Sequence, residues 1–456
     1  TPPQMRSSSG SRSTSNRALV TDPLARTLRL RWLVITVPAA IYFFSYFHRI
    51  APAVVAEDLM RAFAIPAAAL GNLAAIYPYV FAVMALPAGS LSDTLGPRWT
   101  IALGAATMGI GSAFFGLAPS FGPAVIGRLL VGLGASVILI ASLRLAAEWF
   151  RPNEFATISG WSQTVGSLGA LVATTPLAML VEEIGWRASF VTIGGITLLL
   201  GVAAALFVSD RPECMGLAPV NAAGSGRALS FREVIAGIPS IVTNPTTWPP
   251  VLASAGVYGT LVTFVGLWGV PYLTQIYGLP RVEASNLMAL AAVGIMTGAP
   301  LVGWVSDRWL VSRRLPMVAA TLLYVVPWIF LVAPGERVPV GWLGPICFLL
   351  GFASGAVIIC FACVREVNNP ERVGLSIGFC NLPVFLGLAL LQWITGVILD
   401  SRWEGIVAGG RRVYPFAAYH AAFALCLAVA LVALVMACLV TETRCRNIWR
   451  PDREKG

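Results

Sequence analysis

The chain has 456 residues, of which 57% are hydrophobic and 11% charged, with a formal net charge of +10. A soluble domain carries about 25% charged residues, so a water-soluble globular protein is excluded. Nucleic-acid binding is not the reading of the positive excess either, because Lys455 is the only lysine and the arginines are spread along the tails and between apolar runs.

Residues 1–31 are Ser- and Arg-rich and lack the apolar core of a signal peptide; they are expected to form a disordered tail. A membrane helix needs about 20 apolar residues. Twelve such runs follow, over 32–55, 70–91, 100–118, 122–145, 156–180, 187–208, 248–276, 283–305, 315–333, 340–364, 374–399 and 415–440. The expected fold is an all-α polytopic membrane protein with six-helix bundles at 32–208 and 248–440, a polar central loop at 209–247 and a tail at 441–456.

The first run contains His48-Arg49-x-x-Pro52, and the fourth contains Arg128. A guanidinium at the middle of a membrane helix costs at least ~2.5 kcal/mol, so something must offset it. The 21 acidic residues lie at or near helix ends, loops or tails, leaving no carboxylate at matching depth. The missing negative charge is therefore expected to be the cargo, with Arg49 and Arg128 as its ligands and hydrogen bonding to backbone carbonyls near Pro52 and Gly132 as the structural alternative. His48 is the mid-membrane group able to titrate near neutral pH and is the candidate proton carrier. The other histidine, His420, reads as packing. Tyr77, Gln163, Trp268 and Asn381 are the aromatic and amide candidates for completing the pocket.

Gly89-x-x-x-Asp93-x-x-Gly96-x-Arg98 follows the second run, and Gly303-x-x-x-Asp307-Arg308 follows the eighth. Glu148, Pro152 and Gly160 recur as Glu366, Pro370 and Gly378. The chain thus reads as two halves of similar plan, as many secondary transporters are built. Asp93, Arg98, Asp307, Arg308, Glu148 and Glu366 are the gating candidates, with Asp93–Arg98, Asp307–Arg308, Arg144–Glu148 and Arg365–Glu366 as the expected pairs. Cys360-x-x-Cys363 lies in an apolar run without a nearby histidine and reads as a buried structural pair rather than a metal site.

Of the 31 basic residues, 22 fall in the two tails and the loops after even-numbered runs, against seven in the opposite loops. The positive-inside rule then places both termini in the cytoplasm.

These motifs, together with Arg128-x-x-x-Gly132-x-Gly134, resemble the major facilitator superfamily over residues 32–440. Thr94 and Pro97 stand where that family's loop is usually basic. The Arg49 and Arg128 positions resemble the organic-anion branch that carries sugar acids, with His48 and Ala135 replacing its acidic residues. The segment around His48 also resembles amino-acid and peptide nutrient importers. The resemblance implies a monomeric alternating-access transporter in a bacterial inner membrane. Its cargo would be a small anionic or zwitterionic carboxylate: an organic acid, amino acid or short peptide. Protons are a candidate coupling ion. A multidrug or siderophore exporter and a non-transporting membrane sensor are the alternatives. No Walker loop, cofactor motif or nucleophile elbow is present, so neither an enzyme nor a cofactor is expected.

Overall fold

The computed structural model describes residues 23–450 apart from 86, 152–153, 219, 221–230, 334 and 370–372. Pro152 and Pro370 of the repeat, the side chains of Asp93 and Gln163, and residues 1–22 of the expected tail lie outside the described residues. The first half comprises α1 (Pro23–Phe63), α2 (Ala67–Met84), α3 (Pro87–Leu95), α4 (Pro97–Leu117), α5 (Phe121–Trp149), α6 (Phe155–Val172) and α7 (Thr175–Phe207). Helix α8 (Phe231–Val242) lies in the central loop. The second half comprises α9 (Trp248–Thr263), a π turn (Phe264–Trp268), α10 (Gly269–Tyr277), α11 (Arg281–Trp304), a second π turn (Val305–Trp309), α12 (Arg314–Val332), α13 (Val340–Ala353), α14 (Ala356–Val367), α15 (Val373–Ser401) and α16 (Phe416–Cys438).

Among the described residues, eleven helical runs are long and apolar enough to cross a membrane. The remaining expected crossing is α6 with the first part of α7. Helix α7 breaks at Gly185, whose φ of 77° and ψ of 158° turn the chain before the sixth crossing. Such a positive φ strains any residue with a Cβ.

Helix α1 starts at Pro23, well before the expected span. Its early residues are tied to their own half: Arg31 pairs with Glu154 at 2.8 Å, and the Thr27 hydroxyl donates to the Ala218 carbonyl at 3.1 Å. Glu154 lies outside the spans. Burial works against its charge, but bonds from the Arg151 backbone and the Arg31 side chain hold its pKa below the usual carboxylate range.

Within the first half, α5 packs closely on α4. A Cβ on Gly134 would sit 2.2 Å from the Gly104 carbonyl oxygen, so only glycine fits. Between the halves, α2 lies along α15 and α1 lies along the first π turn. The largest apolar cluster crosses this boundary, joining Leu59 of α1 to Trp268, Tyr324 and Phe423 of the second half.

Both described chain ends lie at one end of the bundle, called here the terminal end; the opposite end is the distal end. At the distal end a two-stranded hairpin joins α15 to α16, pairing β1 (Val407–Ala408) with β2 (Arg411–Arg412). Its tip, Gly409-Gly410, has positive φ at both residues, as tight hairpin turns require.

Candidate functional site

Arg49 lies on α1, one turn before Pro52, whose missing N–H deprives the helix of one backbone bond. It is 7% exposed. Its Nη1 donates to the Tyr258 hydroxyl of α9 at 2.6 Å, across the two halves. Its guanidinium carbon lies 4.3 Å from the Tyr46 ring centroid, 5.2 Å from Phe81, 5.3 Å from Phe385 and 5.6 Å from Tyr77. Arg128 on α5 is 3% exposed, and its guanidinium carbon lies 5.3 Å from the Tyr77 ring centroid.

Tyr77 is thus the ring that both cations approach. Its hydroxyl is engaged, donating to the Ser45 carbonyl at 2.8 Å, and its ring stacks on Phe81 at 4.7 Å. Among the described residues, no hydrogen bond reaches Nε of Arg49, Nε of Arg128, or either ring nitrogen of His48. The aromatic faces attract the cations by about 0.5–2 kcal/mol each without neutralising them.

His48 adjoins Arg49 in sequence, but successive helical residues point about 100° apart. Its ring is fully buried inside the first half, 5.8 Å from Phe47 and 6.1 Å from Phe190. The charge that acts on it is Arg128.

The other pocket candidates divide. Trp268 is 1% exposed and donates its indole N–H to Thr395 at 2.8 Å, within the second half. Asn381 is half-buried on α15, one turn from Phe385 on the same side of the helix. Gln163 lies on α6. Tyr258 is one of several aromatics of the seventh run that the sequence leaves open to the pocket; its cross-half bond to Arg49, 209 residues away, singles it out. His420 bonds the Val332 carbonyl at 2.8 Å, as a packing histidine does.

At the terminal end, the expected Asp307–Arg308 pair is replaced and the Arg365–Glu366 pair is long. Asp307 pairs with Arg313 rather than Arg308, which is exposed. Arg313 also holds Glu366, at 2.7 Å, while Arg365 is 3.9 Å away. The reason is geometric: residues i and i+1 of a helix do not face each other. Arg98 donates its side chain to the Ala205 carbonyl, and its backbone N–H bonds Asp210 at 2.7 Å. Glu148 stands 3.9 Å from Arg211. The helix spacing Cys360-x-x-Cys363 does not make a contact pair: Cys360 instead meets Cys380 of α15 at 3.0 Å.

The two halves share one device here. Asp210, after the sixth crossing, bonds the first turn of α4. Glu442, after the twelfth, accepts from the backbone N–H groups of Arg313 and Arg314 at 3.0 and 3.2 Å, at the start of α12. Each half's closing segment caps that half's third crossing.

Two six-crossing bundles enclosing a buried, cationic midplane site define a polytopic membrane transporter. The chain belongs to the Major Facilitator Superfamily, whose model matches residues 39–365 and 270–456. It is 24% identical over 422 residues to the membrane sensor protein UhpC of Salmonella typhimurium, covering 86% of this chain and 92% of that one. It is 24% identical over 396 residues to a probable L-galactonate transporter of Escherichia coli, covering 82% and 85%. It is 24% identical over 418 residues to a probable hexose phosphate transport protein of Chlamydia trachomatis, covering 87% of each. Among solved structures, a bacterial homologue of the human lysosomal transporter Spinster, in an inward-facing and unoccupied conformation, matches with a TM-score of 0.71 at 17% identity, over 92% of this chain and 99% of that one.

Proposed function

We propose that this chain is an alternating-access secondary transporter of a small anionic or zwitterionic metabolite, with Arg49 and Arg128 as the anion ligands and a carboxylate as the favoured group. The observation that carries the reading is the pair of buried guanidiniums that both lie within 6 Å of the Tyr77 ring, each with an Nε donor that nothing in the described protein engages. A planar fork suits carboxylate or phosphate. The relatives named for L-galactonate and for hexose phosphate support an anion of this kind.

In this reading Tyr77, Trp268, Asn381 and Gln163 shape the pocket, and His48 is the candidate proton carrier. Asp93, Arg98, Asp307, Arg308, Glu148 and Glu366 govern the terminal gate. In this reading the terminal end faces the cytoplasm, which the basic excess there supports. A thermal-shift screen of purified protein against sugar acids, amino acids, dipeptides and sugar phosphates tests the reading. Stabilisation by one anionic class supports it; stabilisation by cations alone overturns it.

A membrane sensor is the second reading, favoured by the likeness to the UhpC sensor. It binds the same anion but fails to exchange it across vesicles, so counterflow separates the two readings.

A further inference from the structure

Helix α2 begins at Pro66-Ala67-Ala68-Ala69 and has no capping side chain of its own. The first N–H groups of a helix need acceptors, and here the acceptor comes from the other half. Asp400, near the end of α15, takes the Ala67 N–H on Oδ1 at 3.0 Å and the Ala68 N–H on Oδ2 at 2.7 Å. The same carboxylate is oriented from within its own half: the Tyr414 hydroxyl donates to Oδ1 at 2.7 Å, and Arg412 stands at 3.4 Å. Close approach of the two helices is built in beside it. A Cβ on Gly396 would lie 2.5 Å from the Ala67 carbonyl oxygen, and one on Gly71 would lie 2.3 Å from that of Gln392.

We propose that Asp400 is a latch that holds the distal mouth shut by capping α2 across the boundary between the halves. The neighbouring contacts depend on the same closure. Glu57 of α1 accepts from Thr274 at 2.9 Å, from Gln275 at 3.2 Å and from Arg411 of the hairpin. Asp58 pairs with Arg281 at 2.8 Å. When the distal end opens, the carboxylate leaves with Tyr414 and Arg412, and the α2 terminus loses its charged acceptor to water. An anionic cap at a positive helix end is a strong contact to break, so Asp400 sets how often this mouth opens, whatever the cargo.

Hydrogen–deuterium exchange of the full-length protein in lipid nanodiscs, without added cargo, tests this. Asp400→Asn removes the charge and one acceptor. Tyr414→Phe leaves the carboxylate but loses one of its orienting bonds and the hydroxyl that shares the Ala67 N–H at 2.9 Å. The Asn variant should raise exchange about tenfold, not only at residues 67–71 but together at 270–276 and 411–414, with a smaller rise for the Phe variant. Exchange in α4 and α5 should match the wild type, which serves as the check on folding. A rise confined to 67–71 makes Asp400 a local cap and overturns the latch, as does exchange unchanged from the wild type. Neither result depends on the identity of the cargo.

Discussion

Arg49 is surrounded by four aromatic faces, and its one cross-half hydrogen bond among the described residues goes to a neutral phenol. Arg128 approaches one of the same rings, Tyr77. Both charges therefore remain available to an anion, and the geometry of that contact is open to test. Lysine keeps the charge but loses the planar fork. Loss of one partner in a buried charged contact costs roughly 2–5 kcal/mol, so Arg49→Lys and Arg128→Lys should each weaken cargo binding by about 30-fold or more. Calorimetry with the anion identified by the screen measures this. Wild-type affinity in both variants would remove the anion site. His48 makes the complementary test. If it carries protons, uptake rises as external pH falls from about 7.5 to 5.5, around the ordinary imidazole range. His48→Gln should then flatten that profile and prevent uphill accumulation while keeping counterflow. Uphill accumulation with an unchanged pH profile would leave His48 as a packing residue between Phe47 and Phe190.

Among the elements, α12 shows most plainly what a helix start requires. Its first N–H groups are taken by Glu442. Burial works against the charge of this residue. The Ser312 hydroxyl and the backbone N–H groups of Arg313, Arg444 and Arg314 outweigh it, holding the Glu442 pKa below the usual carboxylate range. A depressed folded-state pKa contributes stability above the unfolded value, and this is lost as pH falls through the folded one. Glu442→Gln should therefore destabilise the second half at pH 7 by about 1 kcal/mol, as loss of an N-cap does. The gap to the wild type should close below about pH 4. Thermal unfolding in detergent at pH 7 and below pH 4 decides it; an equal gap at both pH values would show that the charge is not what caps the helix. The crossings themselves were legible in the sequence because a bilayer demands long apolar runs. The fifth and sixth were separated at the right place only approximately, since the turn rests on the backbone of Gly185. Arg49 and Arg128 were legible because a charge inside such a run is expensive. Tyr258, Asp400 and Glu442 were not, because their meaning lies in partners 128 to 333 residues away, and no local pattern records that.

On the scale of the whole molecule, the repeat seen in the sequence became a repeat of contacts. Asp210 and Glu442 do the same work in the two halves although neither belongs to the motifs that revealed the duplication. Among the described residues, polar contacts between the halves gather at the distal end, around Glu57, Asp58 and Asp400. The capping arrangement has a consequence for how the protein could be made. Each bundle completes its own polar circuit: α1 is tied to Ala218 and α4 to Asp210 on one side, and Asn244 to Val367 and α12 to Glu442 on the other. Two separately translated pieces, divided within residues 221–230, should therefore each fold and find one another in the bilayer through α2, α15 and the Asp400 contact. Co-expression with an affinity tag on one piece should recover both, with anion binding intact. If each piece accumulates in the membrane but the two do not co-purify, the covalent thread between them is what holds the halves together.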